Sequence, residues 1–84
     1  MLNKNWQVYI VRCADSSYYT GISNDVVARI KKHNLGRGAA YTRGRGPVKL
    51  SYTENFPDRS SASKRECEIK KSSRIEKEKL ILKN

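Results

Sequence analysis

The chain has 84 residues, 37% of them hydrophobic, with 18 lysines and arginines against eight acidic residues and a formal net charge of +10. That length allows one small domain, expected over residues 1–84, and such a domain buries only about 60% of its unfolded surface. With a mean hydropathy of −0.80 and no apolar run near the ~18 residues of a bilayer span, a membrane-spanning class is excluded; the polar start of MLNKNWQVYIV lacks a signal-peptide layout, so a cytoplasmic location is expected.

Trp6 to Arg12 alternates like a strand, with Trp6, Val8 and Ile10 on one face and Gln7, Tyr9 and Val11 on the other. Ala14-Asp15-Ser16-Ser17 is turn chemistry, and Tyr18 to Ile22 reads as a second strand, with Tyr18, Thr20 and Ile22 facing away from Tyr19 and Gly21. So short a connection implies an antiparallel hairpin, which sets Tyr9 and Tyr19 on the same sheet face. Ser23 or Asn24 is the expected cap of a helix that follows, with Asp25 in its first turn and Val26, Val27 and Ile30 as its apolar stripe. Lys31, Lys32 and His33 crowd its last turn, where the helix dipole favours cations, and Asn34 and Gly36 stop it. A third strand is expected over Val48 to Thr53, after Pro47. Asp58 or a nearby serine opens a second helix to about Lys71, and Ser73-Arg74-Ile75-Glu76 matches a capping box that opens a third. The order ββαβαα predicts an α+β fold, a three-stranded antiparallel sheet with flanking helices.

The charge is unevenly spread. Residues 1–34 carry five basic and two acidic groups, and residues 53–84 carry nine and six. Residues 35–52 carry four basic groups, Arg37, Arg43, Arg45 and Lys49, and no acidic one. The same stretch holds Gly36, Gly38, Gly44 and Gly46, and its Gly-Arg-Gly triplets resemble loose phosphate-contacting loops. A flexible cationic loop between folded elements suits a polyanion, so these four side chains are the expected nucleic-acid contacts. A solvated surface is the plainer reading. A membrane surface fits less well, because the cations do not line one face of a long amphipathic helix. Cys13 and Cys67, 54 positions apart, form no CxxC, and with one histidine in the chain they make no zinc site; both are expected as reduced, small, semi-buried residues.

Strand tyrosines usually pack, because aromatics fit a pleated, half-buried surface. Two on one face of a hairpin beside cations can do more: a phenol can hold a water, or take its proton where cations lower the phenol pKa. Arg29 and His33 share a helical face at a spacing of four. A solvated helix end explains them equally well; the chemical reading has Arg29 clamp a phosphate and His33 hydrogen-bond the attacking water or a phosphate oxygen. Glu66 lies four residues after Ala62 and three before Ile69, on the sparse apolar stripe of the second helix. It is either half of an ordinary Glu66–Lys70 surface pair or a single carboxylate holding Mg²⁺ or Mn²⁺, with water and phosphate oxygens in the remaining positions. Glu68 falls on a different face. The chain contains no GxSxG, P-loop, HExxH or GxGxxG pattern.

As a set, these residues resemble the GIY-YIG nuclease domain over nearly the whole chain. Val8-Tyr9-Ile10 is similar to its first tripeptide and Tyr19-Thr20-Gly21 to its second, with Val8 in place of a Gly and Thr20 in place of an Ile. Arg29 and His33 are similar to the family's helix Arg and the His or Tyr one turn later, and Glu66 in KRECEIK to its metal-binding Glu. GRGAAYTRGRGPVKLSY followed by FPDRSSASKRE resembles the small stand-alone bacterial branch, and also the catalytic domain of eukaryotic nucleases that resolve branched DNA. The resemblance implies an endonuclease acting on nucleic acid, DNA before RNA, through one Mg²⁺ or Mn²⁺ ion. It implies Tyr19 as general base or water-orienting residue, Tyr9 as its helper, Arg29 on the scissile phosphate, Glu66 on the metal and His33 in support of the nucleophile. Gly21 would leave room for close backbone approach. Some members carry an Asn after the metal Glu; here the one that follows is Asn84. Family enzymes often add a separate DNA-binding module, and none is evident here, so substrate choice is expected from the domain itself or from a protein partner.

A nuclease and a catalytically silent nucleic-acid-binding module both fit this reading, and a charge-driven accessory protein of a ribonucleoprotein is a third possibility. Tyr9, Tyr19, Arg29 and Glu66 together favour the nuclease, since a pure binder does not need all four.

Overall fold

The computed structural model describes residues 5–83. The first four residues of the N-terminal segment and Asn84 lie outside the described residues. Strands β1 (Trp6–Arg12), β2 (Tyr18–Ser23) and β3 (Lys49–Phe56) and helices α1 (Val26–Asn34), α2 (Arg59–Lys71) and α3 (Arg74–Leu82) follow one another as ββαβαα. The sheet is antiparallel in the order β2-β1-β3, so the first strand is the central one.

A central strand with helices on both faces must be apolar on both. Val8, Tyr9, Ile10 and Val11 accordingly have no solvent exposure. Val8 and Ile10 pack on Ala62 and Ile69 of α2, with Leu80 and Ile81 of α3 beside them. Tyr9 and Val11 pack on the other side against Val26 of α1, Val48 and Cys13, with Tyr19 and Ile30. Each fully buried aliphatic side chain contributes about 1.5–3 kcal/mol over its exposed state. In the β1–β2 hairpin Tyr9 lies opposite Gly21 and Val11 opposite Tyr19, so both tyrosines do face α1, as the alternation predicts.

Several expectations are corrected. The N-cap of α1 is Asp25, not Ser23 or Asn24; its carboxylate accepts the Ala28 N–H at 3.1 Å, a charged acceptor at the positive helix end. Ser23 acts just before, its hydroxyl accepting the Asp25 N–H at 2.9 Å. Val27 is 72% exposed, so the buried stripe of α1 is Val26, Ile30 and His33. The strand expected over Val48 to Thr53 pairs further, with Glu54, Asn55 and Phe56 opposite Val8, Gln7 and Trp6. The polar residues are tolerated there because β3 is an edge strand and they have partners: Glu54 bonds Arg65 of α2, and Asn55 accepts from the Gln7 amide at 2.8 Å. Cys13 is buried as expected, but Cys67 is exposed on the outer face of α2.

The basic segment after α1 is also not a loose connector. Gly36, at φ 75°, ends the helix in the left-handed region, with the Arg37 N–H donating to the Lys32 carbonyl at 2.8 Å. A short 3₁₀ turn, Ala40–Thr42, then buries Thr42. The Asn34 amide holds both backbone groups of Val48, accepting from its N–H at 2.7 Å and donating to its carbonyl at 3.3 Å. The Arg45 carbonyl accepts from the Ala14 N–H at 2.8 Å, so the segment is stitched to α1 and to the hairpin turn. The caps expected at Asp58 and at Ser73 with Glu76 are present. Among the described residues no helix is long and apolar enough to cross a membrane.

Candidate active site

The site is built where the α1 face of the hairpin meets α1 itself. Strand alternation and the short turn bring Tyr9 and Tyr19 within 6.4 Å, ring centre to ring centre. His33, one helical turn beyond Arg29, points down from α1, its ring 5.9 Å from Tyr9 and 5.4 Å from Tyr19. It is only 1% exposed, and both ring nitrogens are engaged inside the protein. Nε2 lies 2.8 Å from the Tyr9 hydroxyl and Nδ1 2.8 Å from Thr42 Oγ1. The Thr42 hydroxyl donates to the Ala39 carbonyl at 2.9 Å, so its oxygen must accept from the His33 Nδ1–H. Nε2 is then the acceptor, and the Tyr9 hydroxyl donates to it. The Ala39 N–H, 3.4 Å from Nδ1, is the weaker approach that this tautomer leaves aside.

Burial, and then the nearby charge of Arg29, hold His33 below its ordinary pKa of 6.5, so it is neutral near pH 7. Burial also raises Tyr9 above its ordinary 10.0; contact with Arg29 opposes that rise, while Tyr19 and the Glu66 charge add to it. The sequence expectation that cations lower this phenol therefore has the direction reversed, because desolvation outweighs Arg29. Arg29 itself is partly buried, and its Nε has no hydrogen-bond partner. A buried guanidinium N–H without an acceptor fits an anionic oxygen supplied from outside. Arg29 also lines a groove of about 240 Å³ with Ser23, Asn24, Asp25, Ala28 and Lys32. A roomier hollow of about 420 Å³ lies beside α2 and α3, lined by residues such as Arg65, Lys71 and Leu80, and contains none of the gathered side chains.

Glu66 reaches the same region from the opposite layer. α2 packs across β1 and the edge strand β2. Ala62 and Ile69 are buried against the sheet, Lys70 comes beside Tyr19 of β2, and its partner Glu66 is near enough for its charge to act on Tyr9. The Glu66 side chain is 19% exposed and pairs with Lys70 Nζ at 3.1 Å; that ammonium also lies 5.7 Å from the centre of the Tyr19 ring. The surface pair weighed in the sequence reading does form, but beside Tyr19 rather than on an idle face. Glu68 is 66% exposed and bonds Arg65. Among the described residues no three His, Cys, Asp or Glu side chains cluster as metal ligands. A lone half-buried carboxylate, open to water and phosphate oxygens, nonetheless fits Mg²⁺, which keeps most of its hydration and needs only one or two protein carboxylates.

The sequence reading passed over Thr42 and Tyr41, and gave Gly38 and Arg45 other roles. Thr42 orients His33 from nine residues away, a spacing that belongs to no regular element. Gly38 packs so tightly on the imidazole that a Cβ there would lie 2.2 Å from Nδ1. Tyr41 stacks on Tyr19 at 6.0 Å and 22°. Arg45, expected among the nucleic-acid contacts, carries other duties: its guanidinium lies 4.3 Å from the Tyr41 ring centre, pairs with Asp15 at 3.1 Å and donates to the Tyr41 carbonyl at 2.7 Å. Arg37, Arg43 and Lys49 are exposed, with no ion pair among the described residues.

Comparison with known proteins places the chain in a family. The model of the GIY-YIG catalytic domain covers residues 5–79. A UPF0213 protein of Halobacterium salinarum, VNG_2274C, is 52% identical over 74 residues, 88% of this chain and 96% of that protein. The UPF0213 protein BH0048 of Halalkalibacterium halodurans is 52% identical over 92% of this chain and 82% of its own. Its solution NMR structure superposes with a TM-score of 0.59, and that of EF2693 from E. faecalis, 40% identical over 94% of this chain and 85% of its own, with 0.63. With that match over residues 5–79 and relatives about half identical over nearly their whole length, the chain belongs to the GIY-YIG catalytic domain family, a family of nucleases, and to its UPF0213 branch.

Proposed function

We propose that the protein is a divalent-metal-dependent endonuclease that hydrolyses phosphodiester bonds in nucleic acid, DNA in preference to RNA. The observation that carries this reading is the meeting of Tyr9, Tyr19, His33, Arg29 and Glu66 from four elements at one edge of the sheet. Arg29 binds a non-bridging phosphate oxygen with its unpartnered Nε–H and lowers the charge density at phosphorus. Tyr19, less buried than Tyr9, takes the proton of the attacking water or orients that water. Tyr9, out of water, assists beside it: its hydroxyl donates to His33 Nε2 and stays fixed next to the Tyr19 ring. His33 thus supports the nucleophile through Tyr9 rather than by touching water. Glu66 would hold Mg²⁺ or Mn²⁺, which would supply positive charge to stabilise the reacting phosphate. Arg37, Arg43 and Lys49, with Lys31 and Lys32 of α1, give the flanking backbone a cationic track. The protein acts inside the cell, with substrate choice set by the domain or by a partner protein.

The Lys70–Glu66 pair favours one alternative, a nucleic-acid binder whose metal carboxylate is permanently neutralised. Incubation with supercoiled plasmid, single-stranded DNA, branched DNA and RNA, in Mg²⁺, Mn²⁺ or EDTA, separates the two. Metal-dependent nicking or cleavage supports the nuclease; salt-sensitive binding with every substrate intact supports the binder.

A further inference from the structure

Of the five ion pairs among the described residues, Glu66–Lys70 holds the least exposed carboxylate: the Glu66 side chain is 19% exposed, against 25% to 66% for Glu54, Glu78, Asp15 and Glu68. Its ammonium is the more exposed partner, on a side chain 50% exposed, and it sits between the carboxylate at 3.1 Å and the face of the Tyr19 ring at 5.7 Å. A surface pair at this helical spacing would be ordinary. One that spans the two side chains reaching the site from opposite layers of the fold is not. A carboxylate oxygen that accepts an ammonium cannot at the same time bind a second cation without strong repulsion between the two.

We propose that Lys70 is a positioning residue that competes with the divalent cation for the Glu66 carboxylate, so that the ion binds as the ammonium is drawn away to an anionic oxygen of the substrate. The inference rests on the reading of Glu66 as the metal ligand. Two equilibria are then linked. Phosphate beside Tyr19 attracts the Lys70 ammonium and frees Glu66, and occupation of Glu66 releases the ammonium toward phosphate. Linkage makes this help reciprocal. In the absence of nucleic acid the pair lowers the apparent affinity for the ion, by the fraction of molecules in which the carboxylate is free. An exposed helical pair alone would give about a twofold effect. Partial burial and the repulsion left between ammonium and ion raise the expectation to about three- to tenfold.

The test is Mn²⁺ binding to the intact chain without nucleic acid, followed by loss of the free-ion electron paramagnetic resonance signal. Wild type is compared with Lys70→Met, Lys70→Arg and Glu66→Gln, each checked for native circular dichroism. Lys70→Met should bind Mn²⁺ about three- to tenfold more tightly, Lys70→Arg like wild type, and Glu66→Gln most weakly. Loss of structure does not tighten a metal site, so a gain in affinity marks competition; Lys70→Gln repeats the comparison should the methionine variant misfold. Equal affinity in wild type and Lys70→Met, both above Glu66→Gln, overturns the competition and leaves Glu66 as the ligand. Mn²⁺ binding indifferent to Glu66→Gln overturns the metal reading of Glu66, and this inference with it.

Discussion

The Tyr9 hydroxyl donates to His33 Nε2 at 2.8 Å, joining the central strand to α1 with both side chains out of water. The bond exists because His33 is kept neutral and in one tautomer: Thr42 takes the Nδ1–H, and burial disfavours the imidazolium.

Folding stability should therefore fall as the solution is acidified through the histidine range. The His33 pKa in the fold lies below the 6.5 of the unfolded chain. Its contribution is complete above that value and is lost as pH falls below it toward the folded pKa, because the unfolded chain takes up the proton first. The chain has a single histidine, and the depressed carboxylates Asp15, Glu54 and Asp58 titrate at lower pH, so the window isolates one group. Urea unfolding at about pH 7.5 and about pH 5 should show the loss in wild type. In His33→Gln the stability should be lower at neutral pH and should change less between the two.

Two glycines press on this pair from different sides. A Cβ on Gly21 would lie 2.6 Å from the Tyr9 hydroxyl oxygen, and one on Gly38 2.2 Å from His33 Nδ1. Neither ring can swing aside without breaking the bond between them. Gly21→Ala and Gly38→Ala should each lose about 1–3 kcal/mol in denaturant unfolding. Gly36→Ala acts differently: its Cβ meets nothing, and the penalty, about 1 kcal/mol, comes from φ alone. A Gly21→Ala protein as stable as wild type would show that the tyrosine is held less firmly than the bond implies.

Cutting and holding should separate on single atoms. Glu66→Gln should reduce cleavage roughly a hundredfold or more, with nucleic-acid binding kept. Tyr9→Phe and Tyr19→Phe, which remove only hydroxyls, should each reduce it about a hundredfold. Glu68→Gln, on an exposed carboxylate bonded to Arg65, should change little. Equal cleavage by wild type and Glu66→Gln would dismiss the metal assignment.

The four cations of the middle segment should divide into two kinds. Arg37→Ala, Arg43→Ala and Lys49→Ala should weaken binding and flatten the plot of log affinity against log salt, by about 0.9 for each duplex phosphate that is no longer neutralised. Arg45→Ala should chiefly loosen the fold, since its guanidinium already serves Asp15 and Tyr41. Affinity across a salt series, read beside a thermal melt of each variant, decides the division.

Strand alternation and caps make most of this architecture legible from residues alone. The placing of Tyr9 and Tyr19 on one face needs only the period of a strand and a short turn, and both are local properties. The order of elements follows from signals such as the capping box at Ser73 and Glu76. Less legible is whatever depends on packing between distant parts of the chain. The end of β3 escapes a sequence reading because Glu54 and Asn55 look like loop residues until Arg65 and Gln7 are placed beside them. Thr42 and Gly38 fall in a stretch whose arginines and glycines read as solvated and mobile, and only packing against His33 shows the stretch to be pinned. The direction of the Tyr9 pKa shift is hidden for the same reason: charge can be counted in a sequence, but desolvation cannot.

The central place of β1 has a consequence for synthesis. The strand leaves the ribosome before either of its neighbours, yet the second of them ends at Phe56, paired with Trp6 from 50 residues earlier. The hairpin can zip early, but Tyr9 is flanked on both sides only after Thr53 arrives opposite it. A nascent chain arrested before Thr53 thus carries both tyrosines without the sheet that aligns them, and the candidate site comes together only after β3 and α2 have been made.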